Sequence, residues 1–117
     1  MKGDELKERT KQFALRIMKL VDALPNTVAG RVIANQIMRS GSSVGANYRA
    51  ACRARSNAEF ISKLGTVLEE SDETEFWLEL IMDGELLPSE KVDPLKKEAA
   101  EITAITAASR KTAQSHK

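Results

Sequence analysis

The stretch that decides the fold runs from residue 56 to residue 84 and reads SNAEFISKLGTVLEESDETEFWLELIMDG. Ser56 and Glu59 have the spacing of a capping box, in which a hydroxyl and a carboxylate satisfy the first amides of a helix. One face then recurs at alternating steps of four and three: Phe60, Leu64, Val67, Ser71, Thr74, Leu78 and Ile81. This is the period of an amphipathic α-helix, and Gly84 is placed to end it in the left-handed conformation. The stretch predicts a helix over residues 57–83.

The same periodicity predicts one helix on each remaining part of the chain. In residues 4–24 the periodic face comprises Leu6, Thr10, Phe13, Ile17, Leu20 and Leu24, and a proline follows. In residues 27–55 it comprises Ile33, Ile37, Ser40, Val44, Asn47 and Ala51. In residues 89–110 it comprises Val92, Leu95, Ala99, Ile102 and Ile105. The last helix begins either at Ser89 or, after a separate turn, at Asp93-Pro94, and the sequence leaves both starts open.

Short connections require successive helices to run antiparallel. The sequence therefore predicts an all-α fold, an antiparallel up-down-up-down four-helix bundle that forms a single domain over residues 1–117. A domain of this length buries enough surface to fold without a disulfide or a metal. With only 4% aromatic residues, its core must be mostly aliphatic.

One segment of the second helix conflicts with a regular helical interior. Residues 40–45 read SGSSVG, and each glycine costs up to about 1 kcal/mol relative to alanine inside a helix. Either the helix kinks near residues 40–45, or small residues allow another backbone to approach closely, and the two explanations are compatible.

Composition and cysteine content indicate a cytoplasmic protein. Cys52 is the only cysteine, so no intrachain disulfide forms, and we expect it to be a small buried residue. The N-terminal residues 1–20 alternate charged and apolar positions, which excludes a signal peptide, and no later segment is apolar enough to span a membrane. We expect no membrane partner.

The sequence offers no catalytic constellation. His116 is the only histidine and lies in a polar C-terminal tail, and there is no cysteine cluster. Metal-binding bundles use glutamates and Glu-x-x-His pairs on facing helices, which this chain lacks. No serine has a histidine base available to activate it. We therefore predict no enzymatic activity, no cofactor, no metal and no small-molecule substrate.

Charge is segregated along the chain, although the net charge is only +1. Residues 31–63 contain one acid, Glu59, and six basic residues: Arg31, Arg39, Arg49, Arg53, Arg55 and Lys63. Residues 69–85 contain eight acids and no base: Glu69, Glu70, Asp72, Glu73, Glu75, Glu79, Asp83 and Glu85. These faces are solvated surface, or they pair between copies of the chain, or the basic face contacts nucleic-acid phosphates. For a contact between copies we single out Glu69, Asp72, Glu73 and Glu79 as the acidic partners.

Polar residues on the periodic faces predict a small network in the core. Asn47 falls on the predicted seam of the second helix, where an amide without partners costs about 1–3 kcal/mol. Ser43 lies one turn before it, and Ser71 and Thr74 could face it from the third helix. We interpret the four residues as a structural polar core, and a ligand site is the alternative.

Five segments together resemble the bacterial "four helix bundle protein" family. They are RSGSSVGAN (39–47), RARS (53–56), EFISKL (59–64), ESDET (70–74) and WLEL (77–80). The resemblance covers roughly residues 13–107. Members include proteins encoded in intervening sequences of bacterial large-subunit ribosomal RNA genes, and they are similar to the accessory protein of diversity-generating retroelements.

The resemblance implies a bundle that assembles as a ring-shaped homopentamer, with no established activity for most members. The retroelement relative binds nucleic acid and a reverse transcriptase through basic surface. Many members carry a glutamate soon after the motif's asparagine, whereas this chain reads Tyr48-Arg49-Ala50-Ala51 and is more basic there.

Our leading hypothesis is a non-enzymatic homo-oligomer, a pentamer, in which the second helix of one copy meets the acidic third helix of the next. The alternative is an accessory protein that binds RNA or DNA through the basic face of the second helix.

Overall fold

The computed structural model describes residues 2–116 and contains four long helices. They are α1 (Lys2–Ala23), α2 (Val28–Cys52), α3 (Asn57–Asp83) and α4 (Ser89–Gln114). Successive helices pack on one another, and a smaller interface between α1 and α4 closes a bundle measuring 47 × 20 × 20 Å. The described residues contain no strand, and the predicted all-α four-helix bundle is confirmed.

Side-chain caps start two of the helices. Ser56 Oγ accepts a hydrogen bond of 3.0 Å from the amide of Glu59, as the capping box predicts. The Glu59 carboxylate accepts from the amide of Arg55, one residue before the cap, at 3.1 Å. Thr27 caps α2 in the same way, through the amide of Gly30. The fourth helix begins at Ser89, the first of the two starts that the sequence left open, and it includes Pro94.

The helix α3 ends at Asp83 as predicted, but the left-handed residue after it lies one position later than predicted. Gly84 has an ordinary helical φ of −82°, whereas Glu85 adopts the left-handed conformation with φ 57°. The amide of Leu86 donates to the Ile81 carbonyl (2.9 Å), and that of Glu85 donates to Met82 (3.0 Å). These two bonds form a Schellman motif, whose left-handed position follows the cap residue. Gly84 is therefore the C-cap residue of α3, and Glu85 takes the left-handed position after it.

The core follows the predicted stripes with three corrections. Asn47 is only half-buried and Ile105 is exposed, whereas Tyr48 and Thr106 are buried. With 3.6 residues per turn, a helix can repeat its buried position after three or four residues, and the steps from Val44 to Tyr48 and from Ile102 to Thr106 are both four. Cys52 is also exposed rather than buried, because it is the last residue of α2.

Two glycines of α2 allow α1 to approach closely. The helix runs unbroken through residues 40–45. A Cβ at Gly41 would lie 3.0 Å from Ile17 Cγ1, and one at Gly45 would lie 3.2 Å from Thr10 Oγ1. Close packing, one of the two predicted explanations, therefore accounts for the small residues.

Candidate interaction surfaces

The described residues offer little that resembles a chemical site. Within residues 2–116, no three His, Cys, Asp or Glu side chains are grouped so as to hold a metal ion. No helix of this part of the chain has both the length and the apolar character needed to cross a membrane. A mainly apolar groove of about 550 Å³ lies at one side of the bundle, with Leu6, Tyr48, Phe60 and Ile105 in its wall and Arg9 at its edge.

Arg39 and Glu73, two predicted contacts between copies, are paired with each other inside one chain. The Arg39 guanidinium contacts Glu73 and also bonds Glu70 Oε1 at 3.1 Å. The indole Nε1 of Trp77 donates to Glu73 at 3.0 Å. The Arg39 hydrogen bond, followed by that of Trp77, lowers the pKa of Glu73, and the two glutamates raise the pKa of Arg39. This arginine is therefore neutralised at the junction of α2 and α3.

The remaining predicted basic residues differ in their surroundings. Arg31 donates to the Asn26 side chain at 3.0 Å. Arg49 is exposed in the last turn of α2, and Arg53 and Arg55 are exposed in the segment that follows it; the three form no salt bridge within residues 2–116. Among the predicted arginines, Arg39 is thus paired with acids, whereas Arg31 and the three at the other end of α2 keep their charge exposed.

Lys63, on α3, is half-buried and likewise has no salt bridge among the described residues. It lies in the second turn of α3, apart in sequence from the three exposed arginines at the end of α2 and after it.

A basic groove lies between α1 and α2 beside Arg49. Its volume is about 270 Å³, and its cations are Lys7, Lys11 and Arg49. The floor consists of small residues, including Gly45 and Ala46, that let the two helices approach. The groove therefore combines three cations with a floor of small residues.

The predicted acidic contacts also divide into paired and unpaired groups. Glu79 lies 3.6 Å from Lys96 of α4, whereas Glu69 and Asp72 are exposed and have no salt bridge within the described chain. Burial and then the neighbouring Asp72 raise the pKa of Glu75. The outer face of α3 therefore keeps a strong negative charge.

The predicted polar core of Ser43, Asn47, Ser71 and Thr74 does not form one network. Thr74 bonds Ser40 on α2 at 2.9 Å, and Ser71 bonds Thr103 on α4 at 2.7 Å. Asn47 donates to the backbone carbonyl of Ser43, the predicted neighbour one turn before it, at 2.9 Å. The step of four at Tyr48 turns Asn47 away from the seam, so Ser40, and not Asn47, is the partner of Thr74 on α2.

Sequence reasoning missed an apolar patch on the outside of α2 and α3. Its members, between 38% and 71% exposed, are Val28, Val32, Phe76 and Leu80. Val32 lies seven residues, or two turns, before Arg39 on α2, and Leu80 lies seven residues after Glu73 on α3. Because α2 and α3 are antiparallel, Val32 and Leu80 are opposite each other in the same way as Arg39 and Glu73, two turns further along. Phe76 packs edge-on against Trp77, with ring centroids 5.2 Å apart. The sequence did contain a signal, because Val28 and Val32, like Phe76 and Leu80, are apolar residues four positions apart that lie outside the periodic face of their helix.

A second exposed apolar feature, the α1 ridge, consists of Leu15 and Met18. These side chains are 41% and 48% exposed and border a shallow depression with Arg16 and Lys19. They too lie off the periodic face that the sequence analysis followed.

The comparisons with known proteins are consistent with the fold. Residues 4–108 match a family model described as 23S rRNA-intervening sequence protein. The structure is similar to the crystal structure of a protein with unknown function from the S23 ribosomal protein family of Bacteroides thetaiotaomicron VPI-5482. The two are 39% identical with a TM-score of 0.87, over 95% of this chain and 99% of that chain. No curated protein matches the sequence significantly.

Proposed function

This chain belongs to the 23S rRNA-intervening sequence protein family, and from this premise we propose that it is a non-enzymatic, cytoplasmic subunit that assembles with copies of itself into a homopentamer. The observation that carries the proposal is the apolar patch. Four large apolar side chains face outward, although the bundle has a complete core without them. An exposed patch of this kind marks a contact with another protein. The number of subunits follows from the family resemblance.

The two paired residues change how such an assembly would be held together. Arg39 and Glu73 neutralise each other within the chain, so the contact between copies does not depend on pairing them across subunits. Exposed ion pairs contribute little in any case, about 0–1 kcal/mol each. We therefore propose that burial of apolar surface drives assembly and that charge selects its orientation.

Light scattering coupled to size-exclusion chromatography tests the proposal. We expect a mass five times the 12.9 kDa of the chain at protein concentrations of about 10 µM. The mass should persist at about 1 M salt, where exposed charges are screened to within roughly 3 Å. A mass of one chain at every concentration would contradict the proposal.

A second candidate function is nucleic-acid binding through the end of α2. Arg49, Arg53 and Arg55 are exposed and unpaired within residues 2–116, and Arg49 also belongs to the basic groove. Phosphate contacts of this kind release counterions and need no stacking platform. The family takes its name from intervening sequences of 23S rRNA, which makes structured ribosomal RNA the first probe.

Anisotropy of a labelled structured RNA, measured at about 50 mM and about 200 mM salt, tests this second function. The variant with Arg49, Arg53 and Arg55 changed to glutamine should bind more weakly and show a salt slope smaller by about three. The matched control is Arg39→Gln, which removes a cation already neutralised by two glutamates and should leave the slope unchanged. Absence of binding at the lower salt concentration would exclude this function.

A further inference from the structure

The apolar patch and the α1 ridge carry opposite charges at their margins. On α3, Asp72 lies one turn before Phe76, Glu79 lies one turn after it, and Asp83 lies two turns after it. All three acids are exposed. The patch is therefore bordered by three acids along its α3 side, of which Glu79 is paired with Lys96, and by one exposed cation, Arg31, on its α2 side.

The α1 ridge is bordered mainly by positive charge. Lys11 and Lys19 each lie four residues from Leu15, and Arg16 lies beside it. Asp22, four residues after Met18, is the one acid that borders the same depression within the described chain. All three cations are exposed, and none forms a salt bridge with another residue of the range 2–116.

These margins decide which surfaces can meet. If two patches faced each other, or two ridges did, mainly like charges would be brought together, which costs free energy. If a patch meets a ridge, acids face cations around an apolar centre. The patch lies on α2 and α3 and the ridge on α1, so one subunit can use both surfaces at the same time.

We infer that Leu15 and Met18 of one subunit pack into the patch formed by Val28, Val32, Phe76 and Leu80 of the next subunit. This rests on the proposed self-assembly and adds the two surfaces that make the contact. The contact is head-to-tail, so every subunit presents one ridge and accepts one ridge. A head-to-tail contact closes into a ring when its rotation divides a full turn, and a pentamer requires a rotation of one fifth of a turn; otherwise it forms an open filament.

Two double variants test the inference. The ridge variant is Leu15→Glu with Met18→Glu, and the patch variant is Phe76→Glu with Leu80→Glu. Each substitutes exposed side chains, so we expect native far-ultraviolet circular dichroism. Each variant alone should be a monomer at about 10 µM, because a charge in the centre of the contact weakens association by a hundredfold or more, roughly.

Mixing the two variants provides the decisive measurement. The ridge variant keeps an intact patch and the patch variant keeps an intact ridge, so an equimolar mixture can form one native contact. We expect a 1:1 heterodimer and no larger species. The control is Ile105→Glu, which changes a side chain 40% exposed on α4, outside both surfaces, and should leave the wild-type assembly intact.

The outcomes separate this inference from the proposed function. A monomeric wild-type chain would overturn both. A wild-type oligomer that survives either double variant, or variants that dissociate without forming a heterodimer, would overturn the inference and leave self-assembly standing. If a glutamate variant loses its helical signal, the corresponding double alanine variant replaces it, with an expected loss of about tenfold or more in association.

Discussion

The hydroxyl groups of Ser40 and Thr74 form a hydrogen bond of 2.9 Å at the centre of the α2–α3 interface, where neither side chain is exposed. Thr74 also bonds the Glu70 carbonyl of its own helix, at 2.8 Å. A polar group at such a depth requires a partner, and each of these residues supplies one to the other. The pair therefore ties the register of α2 to that of α3.

Replacing Thr74 by valine should destabilise the bundle by about 1–3 kcal/mol. Valine keeps the shape of threonine but leaves the Ser40 hydroxyl buried without its partner on α3. The measurement is urea denaturation at a fixed protein concentration, because assembly adds to the apparent stability. The double variant with Ser40→Ala should lose less than the sum of the two single changes.

Thr106→Val provides the matched control for this prediction. The Thr106 hydroxyl is buried and has no hydrogen-bond partner within the described residues. The same substitution should therefore be neutral or stabilising there, since it removes an unsatisfied group. Equal losses at the two sites would show that the Ser40 bond contributes nothing specific.

A methyl group added at Gly41 should destabilise the chain by about 1–3 kcal/mol. Alanine would gain up to about 1 kcal/mol in helix propensity, but its Cβ would lie 3.0 Å from one branch of Ile17 and 3.1 Å from the other. Ile17 is fully buried and has no room to move. The control is Gly3→Ala, whose Cβ would make ordinary contacts of 3.9 Å; its unfolding midpoint in urea should rise slightly or stay unchanged. A stabilised Gly41→Ala protein would contradict the close packing.

Replacing Glu85 by glycine should stabilise the chain by about 0.5–1 kcal/mol. Glu85 occupies the left-handed position of the Schellman motif, where a side chain is strained and glycine is not. Thermal denaturation of Glu85→Gly and Glu85→Ala separates the backbone effect from the loss of a charge, because only glycine relieves the strain. An equal gain for both variants would assign the effect to charge.

Arg9 joins α1 to α4, and its contribution should depend on pH. It contacts Glu98 and Glu101, and it lowers the pKa of Glu98 below its ordinary value of 4.5. A lowered carboxylate pKa stabilises the folded state above the unfolded pKa, and this contribution is lost as the pH falls through the folded pKa. Arg9→Met should therefore cost about 1 kcal/mol near neutral pH by urea denaturation, and this cost should shrink as the pH falls below 4.5.

Lys7→Met is the control for the Arg9 experiment. Lys7 lies 3.7 Å from Asp4, whose side chain is 88% exposed, so the pair should contribute little at any pH. A difference between Arg9→Met and wild type that stays constant from pH 7 to pH 3 would contradict the assignment of the pKa shift to Arg9.

The positions of the four helices were predictable because each has a continuous stripe, although α4 extends to Gln114, four residues beyond its predicted end. Ser56 caps α3, and a proline follows α1, so these boundaries agree to within a few residues. The errors at Asn47 and Ile105 arose where a step of three and a step of four were both compatible with the pattern. The left-handed conformation at Glu85 was missed because glycine was expected to take it.

The surface was less predictable than the core for a physical reason. Sequence charge identified Arg39 and Glu73 as interaction residues, but antiparallel packing places them against each other inside one chain. The outward direction of Val32 and Leu80 depends on how the stripe of each helix is rotated toward its neighbours. That rotation is set by packing of the whole bundle, which a single-sequence pattern does not contain.

Trp77, the only tryptophan, should report assembly through its fluorescence. It is half-buried beside Phe76, at the edge of the apolar patch, so a subunit covering the patch would shield the indole from water. Diluting the wild-type protein should shift its emission to longer wavelength and increase quenching by acrylamide, with the midpoint at the dissociation concentration found by light scattering. The variant Phe76→Glu with Leu80→Glu should show the dissociated signal at every concentration. Because the control variant Ile105→Glu leaves the patch intact, its emission should follow the wild-type curve. If the wild-type protein assembles but its Trp77 signal does not change with concentration, the subunit contact lies elsewhere on the bundle.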